Sequence, residues 1–284
     1  MKAIISQISL ISPWLLLVGI LLTILASALN AWKWKILLKG QGVVISYLLA
    51  LKLFLIGFFF NHFMLTGVGD VKRIWDLGKA RNQMTQVLIS VLLERWSGML
   101  MLFFWVVLGL NFAKRNFPQI KPFLWASLLI FVLVLFLPVL IPRLRKTRLG
   151  TWIEKKLGAV PDFSGFYRRK DILAAIVLSF PAPFLVVLIY WIIGCGLNLQ
   201  VGFVNYIYFA PLILAASFLP VSASGLGVQE AAFLLLFSQL KVPGQTILSL
   251  SLLAQATKLG AATIGGLLYL RADSYTRATR LGKK

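Results

Sequence analysis

Long apolar runs are the feature of this sequence that most restricts its fold. A helix needs about 20 apolar residues to cross the hydrocarbon core of a bilayer. The runs of this kind are residues 11–31, 85–110, 120–141, 172–197 and 245–270. Of all residues, 60% are hydrophobic and only 13% are charged, whereas soluble domains carry about 25% charged residues. The sequence therefore predicts an all-α integral membrane protein, folded as a polytopic helical bundle.

Two further apolar runs end in glycine-rich breaks. Residues 43–66 lead into T-G-V-G-D (66–70), and residues 203–219 lead into P-V-S-A-S-G-L-G-V-Q-E (220–230). Proline lacks the N–H that a helix needs, and glycine permits backbone angles that a helix does not use. The residues expected to break the helix are Gly67, Gly69, Pro220, Ser224, Gly225 and Gly227. Inside a bilayer, broken backbone is tolerated only against protein or a water-filled cavity, so the breaks predict the wall of a cavity.

The distribution of basic residues predicts how the chain is oriented. The net charge is +21, but the basic residues lie mostly in short runs between apolar segments. This pattern favours the positive-inside rule and contact with anionic lipid head groups over nucleic acid binding. The basic stretch 143–170 and the C-terminal tail are predicted to be cytoplasmic, as are stretches 33–39 and 72–81. The N-terminus is then expected outside.

This orientation makes segments 43–82 and 203–240 hairpins, which are either re-entrant or fully spanning. The result is a single transmembrane domain, 1–284, built from two inverted repeats that each contain one hairpin. The two halves and the basic cytoplasmic linker between them are about 11–141, 172–270 and 142–171. Inverted repeats with paired broken segments are a common plan of secondary transporters, whose substrate lies near the middle of the membrane.

Charged residues inside the apolar runs are costly, and they are candidates for a functional site. Arg95 lies about 15 Å into its run at 1.5 Å per residue, near the middle of the bilayer. Lys258 is near the centre of the last run, and Lys52 lies in the run before the first break. Either Glu94 and Glu230 neutralise these cations in buried structural pairs, or the excess positive charge binds an anionic head group. The planar fork of arginine suits phosphate.

Charged residues beside the two breaks have two interpretations each. Lys72 and Arg73 follow the first break, where a helix start with two cations would bind phosphate. Alternatively, both side chains anchor the helix at the membrane interface. Glu230 follows the second break and either caps its helix or contributes to the site.

The search for enzyme motifs finds none that is specific. The sequence has no Walker loop, no dinucleotide fingerprint, no zinc-protease motif and no Cys/His cluster. We therefore expect no enzymatic activity, no cofactor and no bound metal.

Three motifs carry a resemblance to a known family. They are G-V-G-D-V-K-R (67–73), V-L-L-E-R-W-S-G (91–98) and P-V-S-A-S-G-L-G-V-Q-E-A-A (220–232), and together they resemble the lysylphosphatidylglycerol synthase transmembrane region family over essentially the whole chain. The resemblance implies a flippase-like protein of the bacterial inner membrane that moves a lipid or handles a lipid-linked substrate. The positions that match the motifs are Gly67, Gly69, Asp70, Arg73, Glu94, Arg95, Gly225, Gly227 and Glu230. Because the sequence ends at Lys284 without an aminoacyl-transferase domain, lysine transfer is not expected.

The leading hypothesis is a lipid flippase whose substrate is a membrane phospholipid or a polyprenyl-phosphate lipid. The residues expected to bind the anionic head are Arg95, Lys258, Arg73 and Lys72, and those expected to balance their charge are Asp70, Glu94 and Glu230. The alternative is a non-catalytic accessory subunit that docks a membrane glycosyltransferase or a lipid-modifying enzyme acting on polyprenyl-phosphate. A third possibility is a membrane-embedded transferase that depends on Asp70 or Glu230.

Overall fold

The computed structural model describes residues 11–64, 67–113, 117, 121–145, 169–217 and 227–281. Within these ranges the chain forms α-helices, one short 3-10 helix and no strand. The predicted all-α fold is therefore confirmed. Pro220, Ser224 and Gly225 lie outside the described residues, and so does most of the predicted linker 142–171.

The first half of the chain contains two long helices, a pair of short ones and a peripheral helix. They are α1 (Pro13–Gly40), α2 (Tyr47–Phe63), α3 (Val68–Arg81), α4 (Met84–Ala113) and α5 (Lys121–Arg145). Helix α1 begins at a proline, whose missing N–H is no loss in the first turn. Ser46 caps α2 by accepting a hydrogen bond from the Leu49 N–H. Helix α1 continues well past the predicted end of its run at residue 31, and it therefore carries Lys33 into the bundle.

The second half repeats this order of long and short helices, with a break in its first member. Its helices are α6 (Arg169–Ser179), α7 (Pro181–Gly196), α8 (Phe203–Ser217), α9 (Val228–Phe237), the 3-10 turn Ser238–Leu240 and α10 (Gly244–Leu281). The predicted run 172–197 is interrupted at Phe180 because Pro181 and Pro183 lack N–H groups. At the break the Phe180 N–H donates to the Val177 carbonyl at 3.1 Å, and the Phe180 carbonyl also accepts a hydrogen bond from Trp105 Nε1 at 3.0 Å.

Four helical segments in the described part of the chain are long and apolar enough to cross a membrane. They are Pro13–Gly40, Met84–Ala113, Arg169–Gly196 and Gly244–Arg271. The shorter apolar helices are Tyr47–Phe63, Pro122–Phe136, Phe203–Ser217 and Val228–Leu240. These lengths make the chain a multi-pass membrane protein with two pairs of short helices. Whether each short pair re-enters or spans stays a prediction.

The two halves pack crosswise. Helix α2 of the first half packs along α10 of the second, and α8 of the second half packs along α4 of the first. Glycines allow the close approach: a Cβ on Gly265 would lie 2.0 Å from the Leu55 carbonyl oxygen, and one on Gly109 would lie 2.8 Å from that of Ile207. Small residues at such crossings are typical of membrane helices. The opposite orientation of the two repeats stays a prediction.

Candidate functional site

A cavity of about 320 Å³ lies between the halves of the bundle. Its lining comes from α1, α2, α3 and α4 of the first half and from α6, α7, α8 and α10 of the second. The charged residues that line it are Lys33, Asp70, Arg73, Glu94, Arg95 and Lys258. Four cations therefore face two carboxylates in a space enclosed by membrane helices.

The first glycine-rich break shapes one wall of this cavity. Gly67 has φ of 105° at the start of α3, a left-handed conformation that favours glycine. The Asn61 side chain of α2 accepts hydrogen bonds from the N–H groups of Gly67 at 2.9 Å and Gly69 at 2.8 Å. A Cβ on Gly69 would lie 1.8 Å from the Gly57 carbonyl oxygen. The break thus holds α3 directly against α2, with Asp70 and Arg73 beside the cavity.

Asp70, Arg73, Glu94, Arg95 and Lys33 form one ion-pair network, which we call the charge network. Arg95 Nε donates to Asp70 Oδ2 at 2.7 Å, and Arg95 Nη2 lies 2.6 Å from the same oxygen. Arg73 Nη2 contacts both Asp70 and, at 3.1 Å, Glu94 Oε2. Glu94 Oε1 in turn lies 3.3 Å from Lys33 Nζ. The network joins α1, α3 and α4 through side chains that are mostly buried.

Lys33 is the member of the charge network that the sequence does not single out as a site residue. It lies in the predicted basic stretch 33–39, yet only 1% of it is exposed. Its ammonium also donates to the Glu94 carbonyl oxygen at 3.1 Å and to Ser179 Oγ at 3.0 Å. The spacing of residues along α1 could have indicated from the sequence that Lys33 shares a helix face with the cavity lining. The cavity-lining residues of α1 are Thr23, Ala26, Ser27, Asn30 and Lys33, and all of them fall at the three- and four-residue spacing of one helix face.

Arg73 is held by aromatic rings as well as by carboxylates. Its guanidinium carbon lies 4.9 Å from the centre of the Trp34 ring and 4.6 Å from that of Phe54. Such cation–π contacts strengthen when the cation is desolvated, and Arg73 is 2% exposed. Arg95 is different because 33% of its side chain is exposed. Arg95 is thus the more accessible of the two arginines.

Lys258 lies in the same cavity but outside the charge network. Its ammonium donates to Gln229 Oε1 at 2.6 Å, and Ser217 Oγ lies 3.2 Å from the same amide oxygen. No ion pair joins Lys258 to a carboxylate among the residues that the structure describes. The hydrogen-bond partner of Lys258 is therefore a neutral amide, and the nearby carboxylate of Glu230 is beyond ion-pair distance.

The structure places the remaining predicted site residues away from the cavity lining. Lys72 binds Asp76 at 2.6 Å, one turn further along α3. Glu230 accepts a hydrogen bond from the Gly227 N–H, as a cap of α9, and another from Ser251 Oγ at 3.4 Å. Lys52 is half-buried in α2 and does not line the cavity. Glu94 and Glu230 therefore do not form the pairs with Arg95, Lys52 and Lys258 that one interpretation expected.

The donor set of the described residues suits an anion better than a metal ion. No group of three or more His, Cys, Asp or Glu side chains is placed to hold a metal in the described ranges. The nitrogen donors of the lysines and arginines suit oxyanions such as phosphate and carboxylate.

The fold and the cavity together define a class, that of polytopic α-helical membrane proteins with a positively charged cavity between their helices. The family model of the lysylphosphatidylglycerol synthase TM region matches residues 1–266, so the chain belongs to that family. This confirms the resemblance carried by the three motifs, and it gives the protein a role related to membrane lipids. A search of curated proteins and a search of solved structures found no match.

Proposed function

We propose that the protein is a flippase that moves an anionic lipid across the bacterial inner membrane. The observation that carries this proposal is the excess of cations in the cavity, where Lys33, Arg73, Arg95 and Lys258 face only Asp70 and Glu94. A charge inside the membrane is expensive unless it is paired. An anionic head group would compensate the two positive charges that the carboxylates leave over.

The rest of the cavity lining supports an amphipathic substrate. Apolar side chains of α4, α7 and α8 line it beside the charged ones, among them Leu102, Val186, Ile189 and Leu214. A lipid offers the matching combination, since its head is charged and its chains are apolar. We propose that the head enters the cavity while the chains stay in the bilayer, and that the substrate is a membrane phospholipid or a polyprenyl-phosphate lipid.

The arrangement of broken segments favours transport over catalysis. Two short helix pairs flank the cavity, as in secondary transporters whose substrate lies between broken helices. We propose that the protein is not an enzyme, that its C-terminus is cytoplasmic and that its N-terminus is outside.

The direct test is lipid movement by the purified protein in vesicles. A fluorescent phosphatidylglycerol labelled on its head is incorporated, and the fraction quenched by externally added dithionite is followed over time. We expect the protein to accelerate movement over empty vesicles. The Arg95→Ala, Lys258→Ala double variant should lower the rate by at least about tenfold, as expected for the loss of about 1.4 kcal/mol of head-group binding.

Lys52→Ala is the matched control, because Lys52 is also a lysine in an apolar helix but does not line the cavity. Unchanged movement in the double variant would contradict the proposed mechanism. If the wild-type protein moves no lipid and instead co-purifies with a membrane glycosyltransferase or a lipid-modifying enzyme, the accessory-subunit hypothesis replaces the flippase.

A further inference from the structure

The four cations of the cavity are not equivalent, because three of them already have carboxylate partners. Lys33 and Arg73 contact Glu94 at 3.3 and 3.1 Å, and Arg95 contacts Asp70 at 2.6 Å. An incoming anion would have to compete with a carboxylate for each of them, and breaking a buried pair is costly. Arg73 is further enclosed between two aromatic rings. Each cation of the charge network thus has a carboxylate partner within the network, although Nη1 of Arg73 makes no hydrogen bond with the described residues.

Lys258 has no carboxylate within ion-pair distance among the described residues. The neighbouring carboxylate, Glu230, is used as the cap of α9 and by Ser251. The ammonium of Lys258 is therefore the cavity cation that gains most from a bound anion, since the gain is not offset by a lost ion pair.

Two buried donors in the second half of the bundle, one of them on the residue that Lys258 contacts, have no acceptor among the described residues. Gln229 is 0% exposed, and its amide nitrogen Nε2 makes no hydrogen bond with the described residues. Because lysine only donates, the amide oxygen of Gln229 must face Lys258, and the amide NH2 group then points away from Lys258. The hydroxyl of Tyr190, a residue that lines the cavity, likewise lacks a partner in the described ranges. Buried donors without acceptors are rare in folded proteins.

Tyr190 and Gln229 come from different helices but belong to one neighbourhood. The Tyr190 ring packs on Phe233 with ring centres 4.9 Å apart, and Phe233 lies one turn after Gln229 on α9. Lys258 of α10 contacts Gln229 directly. An ammonium, an amide N–H group and a phenolic hydroxyl are therefore contributed by three helices of the second half.

We propose that Lys258, Gln229 and Tyr190 form an oxyanion site that takes a phosphate group. The charge network mainly positions helices, while its one surplus positive charge adds to the attraction of the anion. A tetrahedral phosphate offers several acceptor oxygens in different directions, which suits donors from three helices better than a planar carboxylate does. That this phosphate is the head of a lipid rests on the proposed function. The site itself requires only the phosphate chemistry.

The test compares lipid retention in conservative variants of the full-length protein. Protein in mild detergent is exposed to vesicles of phosphatidylglycerol and phosphatidylcholine, and the retained lipids are counted by native mass spectrometry. We expect Lys258→Met and Tyr190→Phe to lower the phosphatidylglycerol retained by about tenfold or more, the loss expected for one hydrogen bond to a charged group. Lys52→Met, the matched control, should retain as much as the wild type.

Tyr190→Phe separates binding from folding because it removes one hydroxyl and keeps the ring. Its thermal unfolding in the absence of lipid should match the wild type while its lipid retention falls. Wild-type retention in Lys258→Met and Tyr190→Phe, with loss in Arg95→Gln, would overturn the oxyanion site and leave the flippase proposal intact.

A second arm uses inorganic phosphate alone and follows thermal unfolding of the protein. If phosphate stabilises the wild type but not Lys258→Met, the oxyanion site is supported. If in addition no lipid is retained or moved, only the flippase proposal fails. Equal stabilisation of both proteins, together with equal lipid retention, would overturn the oxyanion site.

Discussion

Helix pair α3–α4 and helix pair α9–α10 follow one backbone plan but use charge in different ways. In both pairs the second helix begins 16 residues after the first, at residues 68 and 84 in one and at 228 and 244 in the other. A glycine with positive φ precedes each pair: Gly67 at 105° and Gly227 at 85°. The same geometry of a helix start therefore forms twice.

The side chains at matched positions differ sharply. Matched positions in the two pairs are 160 residues apart. Asp70, Arg73 and Glu94 correspond to Glu230, Phe233 and Ala254. Arg95 corresponds to Gln255, and Gly98, which lies beside Lys33, corresponds to Lys258. The first pair thus builds an ion-pair network, whereas the second has mostly neutral side chains at the matched positions, with one lysine that donates to a neutral amide. Since α9 starts with only a cap, the charges of the first pair are not needed to form the backbone plan. In the first pair, however, the buried cations of the charge network each need a carboxylate partner.

The largest expected effect comes from removing the central carboxylate of the charge network. Glu94→Gln leaves Lys33 and much of the charge of Arg73 without a partner in a buried site. Breaking a buried ion pair from one side costs about 3–5 kcal/mol, so we expect the free energy of unfolding, measured in mixed detergent micelles, to fall by that amount. If Glu94→Gln lowers the free energy of unfolding no more than Glu230→Gln does, the two helix pairs do not differ in their dependence on a buried carboxylate.

The next effect concerns the close approach of α3 to α2. Gly69→Ala places a methyl group against the Gly57 carbonyl, and overpacking of this kind typically costs about 1–3 kcal/mol. The matched control is Gly244→Ala at the start of α10, where the nearest atom to an added Cβ is 3.8 Å away. We expect a lower unfolding temperature for the first variant and an unchanged one for the second.

The carboxylate of the second pair should matter less than its counterpart. Glu230→Ala removes the side chain that caps Gly227, and a lost helix cap costs about 1 kcal/mol. Asp70→Ala removes the partner of two arginines and should cost several times more. Thermal unfolding of the two variants side by side measures the ratio, and equal losses would contradict the assignment of Glu230 as a cap.

The smallest effect is expected at Lys72, although it lies in the same motif as Arg73. Its partner Asp76 is four residues further along the helix, and both side chains are more than a quarter exposed. Pairs of this kind contribute about 0.3–0.5 kcal/mol. Lys72→Gln should therefore leave both the unfolding temperature and lipid retention unchanged, and a large loss of either would bring Lys72 back as a site residue.

One sequence comparison changes when the structure is known. By sequence, the pattern G-V-G (67–69) matches G-L-G (225–227), which would pair Gly67 and Gly69 with Gly225 and Gly227. In the structure Gly67 and Gly227 precede their helices equivalently, so the counterpart of Gly69 is Gln229. The helix start is fixed by the glycine that adopts positive φ, and a pattern of alternating glycines does not show which one that is.

The sequence by itself determined the helical membrane class, the approximate helix positions and the family. These features are local, since the length of an apolar run decides whether a helix can span, and glycine and proline decide where it breaks. The sequence also identified five of the six charged residues that line the cavity: Asp70, Arg73, Glu94, Arg95 and Lys258. Glu94, Arg95 and Lys258 stood out because a charge inside an apolar run is unusual, and Asp70 and Arg73 because they follow a glycine-rich break.

Only the tertiary structure decided which charges meet. Glu94 lies 61 residues from Lys33 and 21 from Arg73 along the chain, yet it contacts both. Glu230, which the sequence offered as a partner for the buried cations, is turned back onto its own helix. Ion pairing depends on distances of a few ångströms between helices, whereas sequence periodicity reports only the face of one helix. For that reason the charged residues could be identified from the sequence. The sequence could not show that Arg95 is paired with a carboxylate whereas Lys258 has no ion pair among the described residues.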